Sequence, residues 1–479
     1  MFTETLSFGA ASAAPSSLPW IEARPGSPYF VTDQGEPWTP IGQNDSIAWV
    51  ELAPLFRRKD VAAVERHLQW LKASGVTVLR LMMECAHKKH RYMELSAGRL
   101  SPNMVQLWDD LFAMCERLGL RILLTPVDTF WTWIRWRFHP WNKANGGVLD
   151  DPSRLLTCPD TRRAIKDRLE FAVRRWGGSG ALFAWDLWNE IHPAQGEGSA
   201  EPFPEFIADL SAFVRGLERE LYGRSHPQTV SLFGPELWWK PKMELREPIF
   251  RHPDLDFASI HIYRERTIDL PRDTVAPALS MAEIVRMCLG EIRDDRPFLD
   301  TEHGPIHAFK DKRRVLPAAF DDEYFRHIAW SHLASGGAGG GMRWPNRTPH
   351  TLTPGMREAQ GAMSRFLPLI DWTRFKRRNL NEEVRVPNRR RVGMAACGDG
   401  EQALVWLVRR DTLQQVGRLS QLDREATPID VAVEIPGLSG RHRATLWNTR
   451  AGAAVGTAEV DDGRFAVPLA TDLAVAIRR

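Results

Sequence analysis

Short apolar runs alternate with longer stretches of helical spacing from about Tyr29 to about Ile370. Val76 to Leu81 reads as a buried strand. Ahead of it, Asp60 to Ser74 places Val61, Val64, Leu68 and Leu71 on one helical face, and Gly75 supplies a stop. Met104, Leu107, Leu111, Met114 and Leu118 repeat the helical period up to Gly119, and Leu120 to Leu124 begins the next strand. Further strands are predicted at Ala181–Leu187, Thr229–Phe233, Phe257–Ile262, Pro297–Thr301 and Gly337–Trp344, with an opening strand near Trp38–Asn44. Helices are predicted over Phe203–Tyr222, Val275–Glu291 and Asp322–Ser335. About eight strand–helix units is the number that closes a (β/α)8 TIM barrel, an α/β fold.

The texture changes after Trp372. Arg374, Lys376, Arg377, Arg378, Arg385, Arg389, Arg390 and Arg391 crowd a stretch relieved only by Glu382 and Glu383. No aromatic platform or binding motif accompanies this run, so it reads as a solvated connector and not a nucleic-acid patch. Beyond it, Gln402–Val408, Ile429–Ile435, Arg443–Trp447, Arg464–Val467 and Leu473–Ile477 are short, β-rich and separated by turns, the pattern of a β-sandwich. The division predicted is an extension over 1–28, a catalytic barrel over 29–373, a basic linker over 374–391 and an accessory β-sandwich over 392–479.

Composition narrows the classes. The chain has 479 residues, 43% apolar and 26% charged, with a net charge of +3, too near neutrality to argue for nucleic acid or membrane. Five scattered cysteines, Cys85, Cys115, Cys158, Cys288 and Cys397, have neither zinc-ligand nor redox spacing and read as free thiols. Residues 1–17 lack a basic start and an apolar core of signal-peptide length, and no run is long enough to span a bilayer. The expectation is a cytoplasmic protein.

The chemistry sits at strand ends. Ala181 to Trp188 leads into Asn189-Glu190, and Arg296 to Thr301 leads into Glu302. Two carboxylic acids delivered to the C-terminal rim of one sheet are the equipment for splitting a glycosidic bond, one as acid, the other as nucleophile or base. An isolated Asn-Glu pair is more often a cap or an ion pair. A second strand-end glutamate, with Arg80, His261, Tyr263 and Trp344 at other strand ends, reverses those odds. His87 to His90 and His303 to His307 lack the helical His-Glu-x-x-His form, so neither metal nor cofactor is expected.

These motifs resemble the retaining glycoside hydrolases of clan A, closest in style to the family 5 cellulases and mannanases. Trp188-Asn189-Glu190 is similar to the strand-four motif, and the resemblance implies that Glu190 is the acid/base and Asn189 a ligand of the sugar 2-hydroxyl. Glu302 takes the place of the strand-seven nucleophile, Arg80 that of a strand-two arginine beside it, and His261-Ile262-Tyr263 that of the strand-six His-x-Tyr. Met342-Arg343-Trp344 resembles strand eight, whose tryptophan floors the sugar site. Strand three departs, offering Asp128 where family 5 usually places a histidine. The chemistry then requires Glu302 to stay ionised beside Arg80 and Tyr263, and Glu190 to have a raised pKa. A retaining pair stands about 5 to 5.5 Å apart, and a gap beyond roughly 6.5 Å signals inversion.

Nineteen tryptophans stand against five tyrosines. Trp131, Trp133, Trp136 and Trp141 crowd the long loop after strand three, and Trp238-Trp239 follow strand five. Trp131, Trp133 and Trp238 are candidate sugar-stacking platforms. Long aromatic loops wall a cleft into a pocket, so exo action on an oligosaccharide or glycoside is expected, with endo-cleavage next. Arg135, Arg137, Arg264, Arg266, Arg343 and Arg347 suit an anionic sugar, but the protein's own acids are the favoured partners. A furanosidase and a catalytically silent carbohydrate-binding barrel are the alternatives.

Overall fold

The computed structural model describes residues 18–57, 60–84, 92–305, 315–347 and 349–479. The stretch before Leu18, Cys85, His87 to His90, and His307 lie outside the described residues.

Eight all-parallel strands form the barrel: β1 (Gly42–Asp45), β2 (Val78–Met82), β3 (Arg121–Thr125), β4 (Leu182–Asp186), β5 (Gln228–Thr229 and Ser231–Phe233), β6 (Ala258–Ile262), β7 (Phe298–His303) and β8 (Met342–Arg343). They neighbour one another in sequence order, and β8 pairs with β1 through Met342–Gly42 and Arg343–Gln43, which closes the ring. Nearly every strand residue is buried, as expected for a parallel sheet covered by helices.

The connecting helices carry the expected end signals. In the helix Val61–Ala73, the Asp60 side chain accepts from Ala63 N–H at 2.9 Å. The helix Pro102–Leu118 begins on a proline and ends at Gly119, whose φ of +70° is the left-handed cap that glycine adopts freely. The helix Phe203–Tyr222 has its predicted bounds. The helix Pro159–Trp176 buries Arg168, whose guanidinium meets Glu84 and Glu94, each at 2.8 Å, and lies over Trp141. This pins the chain on either side of the loop after β2.

Two predicted strands are shorter than expected. Pro37–Trp38 belongs to an antiparallel flap with Ile21–Ala23 and Phe30–Thr32, so β1 begins only at Gly42. Phe30 of this flap meets Phe183 and Phe257 at 4.9 and 5.3 Å, plugging the N-terminal end of the barrel. The glycine run before Met342 turns instead of extending. Gly339 and Gly341 have φ of +117° and +73°, and a Cβ on Gly339 would lie 2.3 Å from the Pro40 carbonyl oxygen.

The C-terminal unit is an antiparallel sheet of eight strands curled over its own core of Val405, Val433, Val467 and Val475, with a separate hairpin of Leu413–Val416 and Leu419–Leu422. Its two ends approach through a bridge between Arg385 and Glu434. Strands at Val392–Gly398 and Ala453–Asp461 were not anticipated: the first is small and fully buried, the second mostly exposed, so neither alternates clearly. The arginine-rich stretch is built into this unit. Arg378–Asn379 is an edge strand, Arg377 donates to Gly336 O at 3.0 Å, and Arg391 pairs with Asp411 at 2.5 Å. Trp406 and Trp447 pack against the barrel helices through Trp330 and Phe366, and Arg450 reaches Glu323 at 3.0 Å. Among the described residues, no helix is long and apolar enough to cross a membrane.

Candidate active site

The β-strands deliver their C-terminal residues to one cleft of about 510 Å³. Glu190 and Glu302 both line it, with side chains 20% and 10% exposed, so the two acids share a solvent-reaching cavity. Nδ1 of His261 lies 2.7 Å from Glu190 Oε1 and 3.5 Å from Glu302 Oε2. One oxygen of each acid and the imidazole nitrogen fall within 4.8 Å of one another. Glu190 carries a positive φ of 51°, uncommon for a residue with a side chain. Its N–H donates to Ser231 Oγ at 3.2 Å, which holds that turn.

Glu302 is held from three sides. Tyr263 Oη donates to Oε1 at 2.6 Å and Arg80 to Oε2 at 3.2 Å. The Asp300 carboxylate accepts the N–H groups of Glu302 and Ile262, each at 3.2 Å, where the β6–β7 register slips after Ile260. Asp300 thus takes over ladder bonds that the irregularity leaves unmade. Its second oxygen meets His303 Nδ1 at 2.7 Å.

Arg80 is the hub beneath the cleft. It donates to Asn44 Oδ1 at 2.8 Å, to Asp186 Oδ2 at 2.7 Å and to Asn189 Oδ1. Asp186 also accepts from Ser231 N and Oγ, each at 3.0 Å, so one buried carboxylate braces both the arginine behind Glu302 and the serine behind Glu190. Arg80 and Asp186 have fully buried side chains. Breaking a buried pair leaves a charge uncompensated, at a cost of roughly 3 to 5 kcal/mol. Asp186→Asn is therefore expected to lower unfolding stability by about that much in urea titration. An unchanged midpoint would show that Arg80 does not depend on it.

Burial pushes the Glu190 carboxyl up to about 7, against the opposing pull of Arg80 and His192. Burial also raises Glu302 above the ordinary carboxylate range, although His261, Arg80 and Tyr263 pull the other way and the Glu190 charge adds to the rise. Desolvation outweighs the pull of the guanidinium, which also answers to Asp186. Burial, aided by Arg80, lowers His261 to about 4, so its ring is neutral near pH 7.

Asp128 caps a helix and braces Asn189. Its Oδ1 caps the helix Thr129–Ile134 by accepting from Phe130 N at 3.0 Å and also accepts from Asn189 Nδ2 at 2.6 Å. Its Oδ2 is buried with no hydrogen-bond partner, and burial raises its pKa strongly. The residue also lines the cleft. Trp131, Trp133, Trp344 and Asn189 also line the cleft. Trp238 does not: it packs against the barrel core, and its neighbour Trp239 turns outward onto the cleft wall. Both sit on one short helical turn, Glu236–Trp239, so successive residues face different ways. Trp136 and Trp141 are buried in the core.

None of the six loop arginines is among the described residues lining the cleft. Arg343 and Arg347 both pair with Asp321, at 2.8 and 2.5 Å, which favours the structural role. Among the described residues, two clusters offer metal-ligating atoms within reach of one another: Glu190, His261 and Glu302, and Asp45, Glu51 and His67. Each already faces a guanidinium, Arg80 at 3.2 Å from Glu302 and Arg357 at 4.0 Å from Glu51. The sequence reading missed Asn44, Asp186, Ser231, His192, Glu236, Trp49 and His350. Asp186 left a signal, a lone acid inside an otherwise apolar strand.

In fold the chain resembles solved structures of one class, the glycoside hydrolases, family 5 members among them. No family profile matches the chain. Mannan endo-1,4-beta-mannosidase 2 of Arabidopsis thaliana is 24% identical over 36% of this chain and 43% of its own length. Mannan endo-1,4-beta-mannosidase 1 of the same plant is 21% identical over 61% of this chain and 74% of its own. A glycoside hydrolase family 5 structure from Bacteroides vulgatus superposes with a TM-score of 0.59 at 10% identity, covering 97% of this chain and 95% of that one. The shared fold therefore includes the C-terminal sheet.

Proposed function

We propose that this protein is a retaining β-glycosidase, exo-acting on glucosides or mannosides, with β-mannosides the first substrates to test. The observation that carries the reading is the closeness of the Glu190 and Glu302 oxygens within one cleft. Inverting pairs stand roughly 6.5 to 9.5 Å apart to admit a water. In the first half-reaction Glu190, protonated, gives its proton to the departing oxygen as Glu302 attacks the anomeric carbon. In the second, Glu190 takes a proton from water, which displaces Glu302. Tyr263 and Arg80 hold the nucleophile, and Asn189 and Asp128 are the proposed ligands of sugar hydroxyls.

Exo action is supported by a cleft of about 510 Å³ walled by the aromatic loops after β3 and β5. The mannan endo-mannosidases among its relatives favour endo-cleavage as the second reading. A panel of nitrophenyl glycosides, followed by β-1,4-manno-oligosaccharides, separates them. The expected early product is monosaccharide alone; mixed internal fragments would establish endo action, and no turnover of any β-glycoside would end the reading. The rate should fall as pH rises through about 7, where Glu190 loses its proton. It should also fall on the acid side, once Glu302 is protonated. A flat pH–rate profile up to about 9 would contradict the assignment of Glu190.

A further inference from the structure

The two acids divide the cleft into unlike ends. On the Glu302 side stand Tyr263, Trp344 and Trp49, the last meeting Trp344 edge-on at 4.9 Å. On the Glu190 side stand His192, two residues along the chain, Trp133 at 5.3 Å from its ring, and Glu236 at 3.5 Å. Trp239 lies on the same helical turn as Glu236. The proton donor must stand beside the departing oxygen, so the Glu190 side is the leaving-group end.

That end exposes apolar area to an unusual degree. Trp133 and Trp239 are 53% and 55% exposed, yet both line the cleft. Indoles left open at a cavity mouth are surface waiting for a ligand. Among the described residues, the charged groups beside them already answer one another: Lys240 Nζ lies 2.5 Å from Glu236 and 3.4 Å from His192. A second sugar would bring several hydroxyls that need partners, whereas a hydrocarbon needs none.

Resting on the glycosidase reading above, we propose that Trp133 and Trp239 clasp an apolar aglycone, so that the preferred substrates are β-glycosides of hydrophobic alcohols. The test is a series of methyl, butyl, hexyl and octyl β-glycosides of the sugar that the nitrophenyl panel selects, with the full-length enzyme. kcat/KM is expected to rise roughly threefold to fourfold per methylene over the first few carbons. In Trp133→Ala and Trp239→Ala the octyl-to-methyl ratio should fall at least tenfold, a comparison internal to each variant and independent of its overall activity. A ratio near one in the unaltered enzyme, or a disaccharide of the same glycone preferred over the octyl glycoside, would overturn the proposal. The glycosyl fluoride, whose leaving group has no carbon, separates the two failures. Fluoride turnover with a flat alkyl series removes only the aglycone proposal, while no turnover of either removes the glycosidase reading with it.

Discussion

Glu302→Ala is expected to lower kcat on an unactivated β-glycoside by a factor on the order of 10⁴ or more, with the fold intact. The variant leaves Tyr263 and Arg80 facing an empty space where they now hold a carboxylate at 2.6 and 3.2 Å. A small anion such as azide fits that space and can attack the anomeric carbon from the same face. Azide should therefore restore turnover and yield the α-glycosyl azide, since one displacement inverts what two displacements retain. Full activity in the variant, or a β-glycosyl azide, would show that Glu302 is not the nucleophile.

The second large effect falls on Glu190. Glu190→Gln should slow hydrolysis of glycosides with poor leaving groups by roughly 10² to 10⁴. Dinitrophenyl glycosides, which need little protonation, should lose far less in the glycosylation step. The descending limb of the pH profile at about 7 should vanish with it. Stability should move in a direction set by the same shift. The folded value of about 7 lies above the ordinary glutamate value near 4.3, so the folded chain keeps a proton that the unfolded chain releases. That contribution is complete below the unfolded value and is lost as pH rises through about 7. Glu190→Gln should thus raise Tm at about pH 8 relative to the unaltered protein, and leave it unchanged at about pH 4. Equal Tm differences at both values would contradict a raised carboxyl in the fold.

Much of this site was legible because a parallel barrel presents every strand end to one face. Once Ala181–Leu187 and Pro297–Thr301 read as strands, the acids just beyond them, Glu190 and Glu302, had to share a rim. Asn189, His261, Tyr263 and Trp344 follow by the same logic, each sitting at or just beyond a strand end, whereas Arg80 lies midway along β2. What escaped lies beneath the rim or depends on a turn. Asp186 points into the barrel, and its partners Arg80 and Ser231 come from strands that only closure brings together. The slip between β6 and β7 that gives Asp300 its role is invisible to a period-two pattern. Trp238 and Trp239 are adjacent in the chain, and only the turn Glu236–Trp239 decides which faces the cleft. The nearness of Glu302 to Arg80 was readable, but the depth of its burial, which raises its pKa, was not.

The proposed retaining reaction has a covalent intermediate at its centre, and trapping it is the most direct test. A 2-deoxy-2-fluoro β-glycoside with a good leaving group slows both displacements, the second more, and leaves the sugar on the nucleophile. Peptide mass spectrometry should then find one fluorosugar per chain on the peptide containing Glu302. No label on an enzyme that still turns over the parent glycoside, or a label on any other residue, would contradict double displacement through this pair.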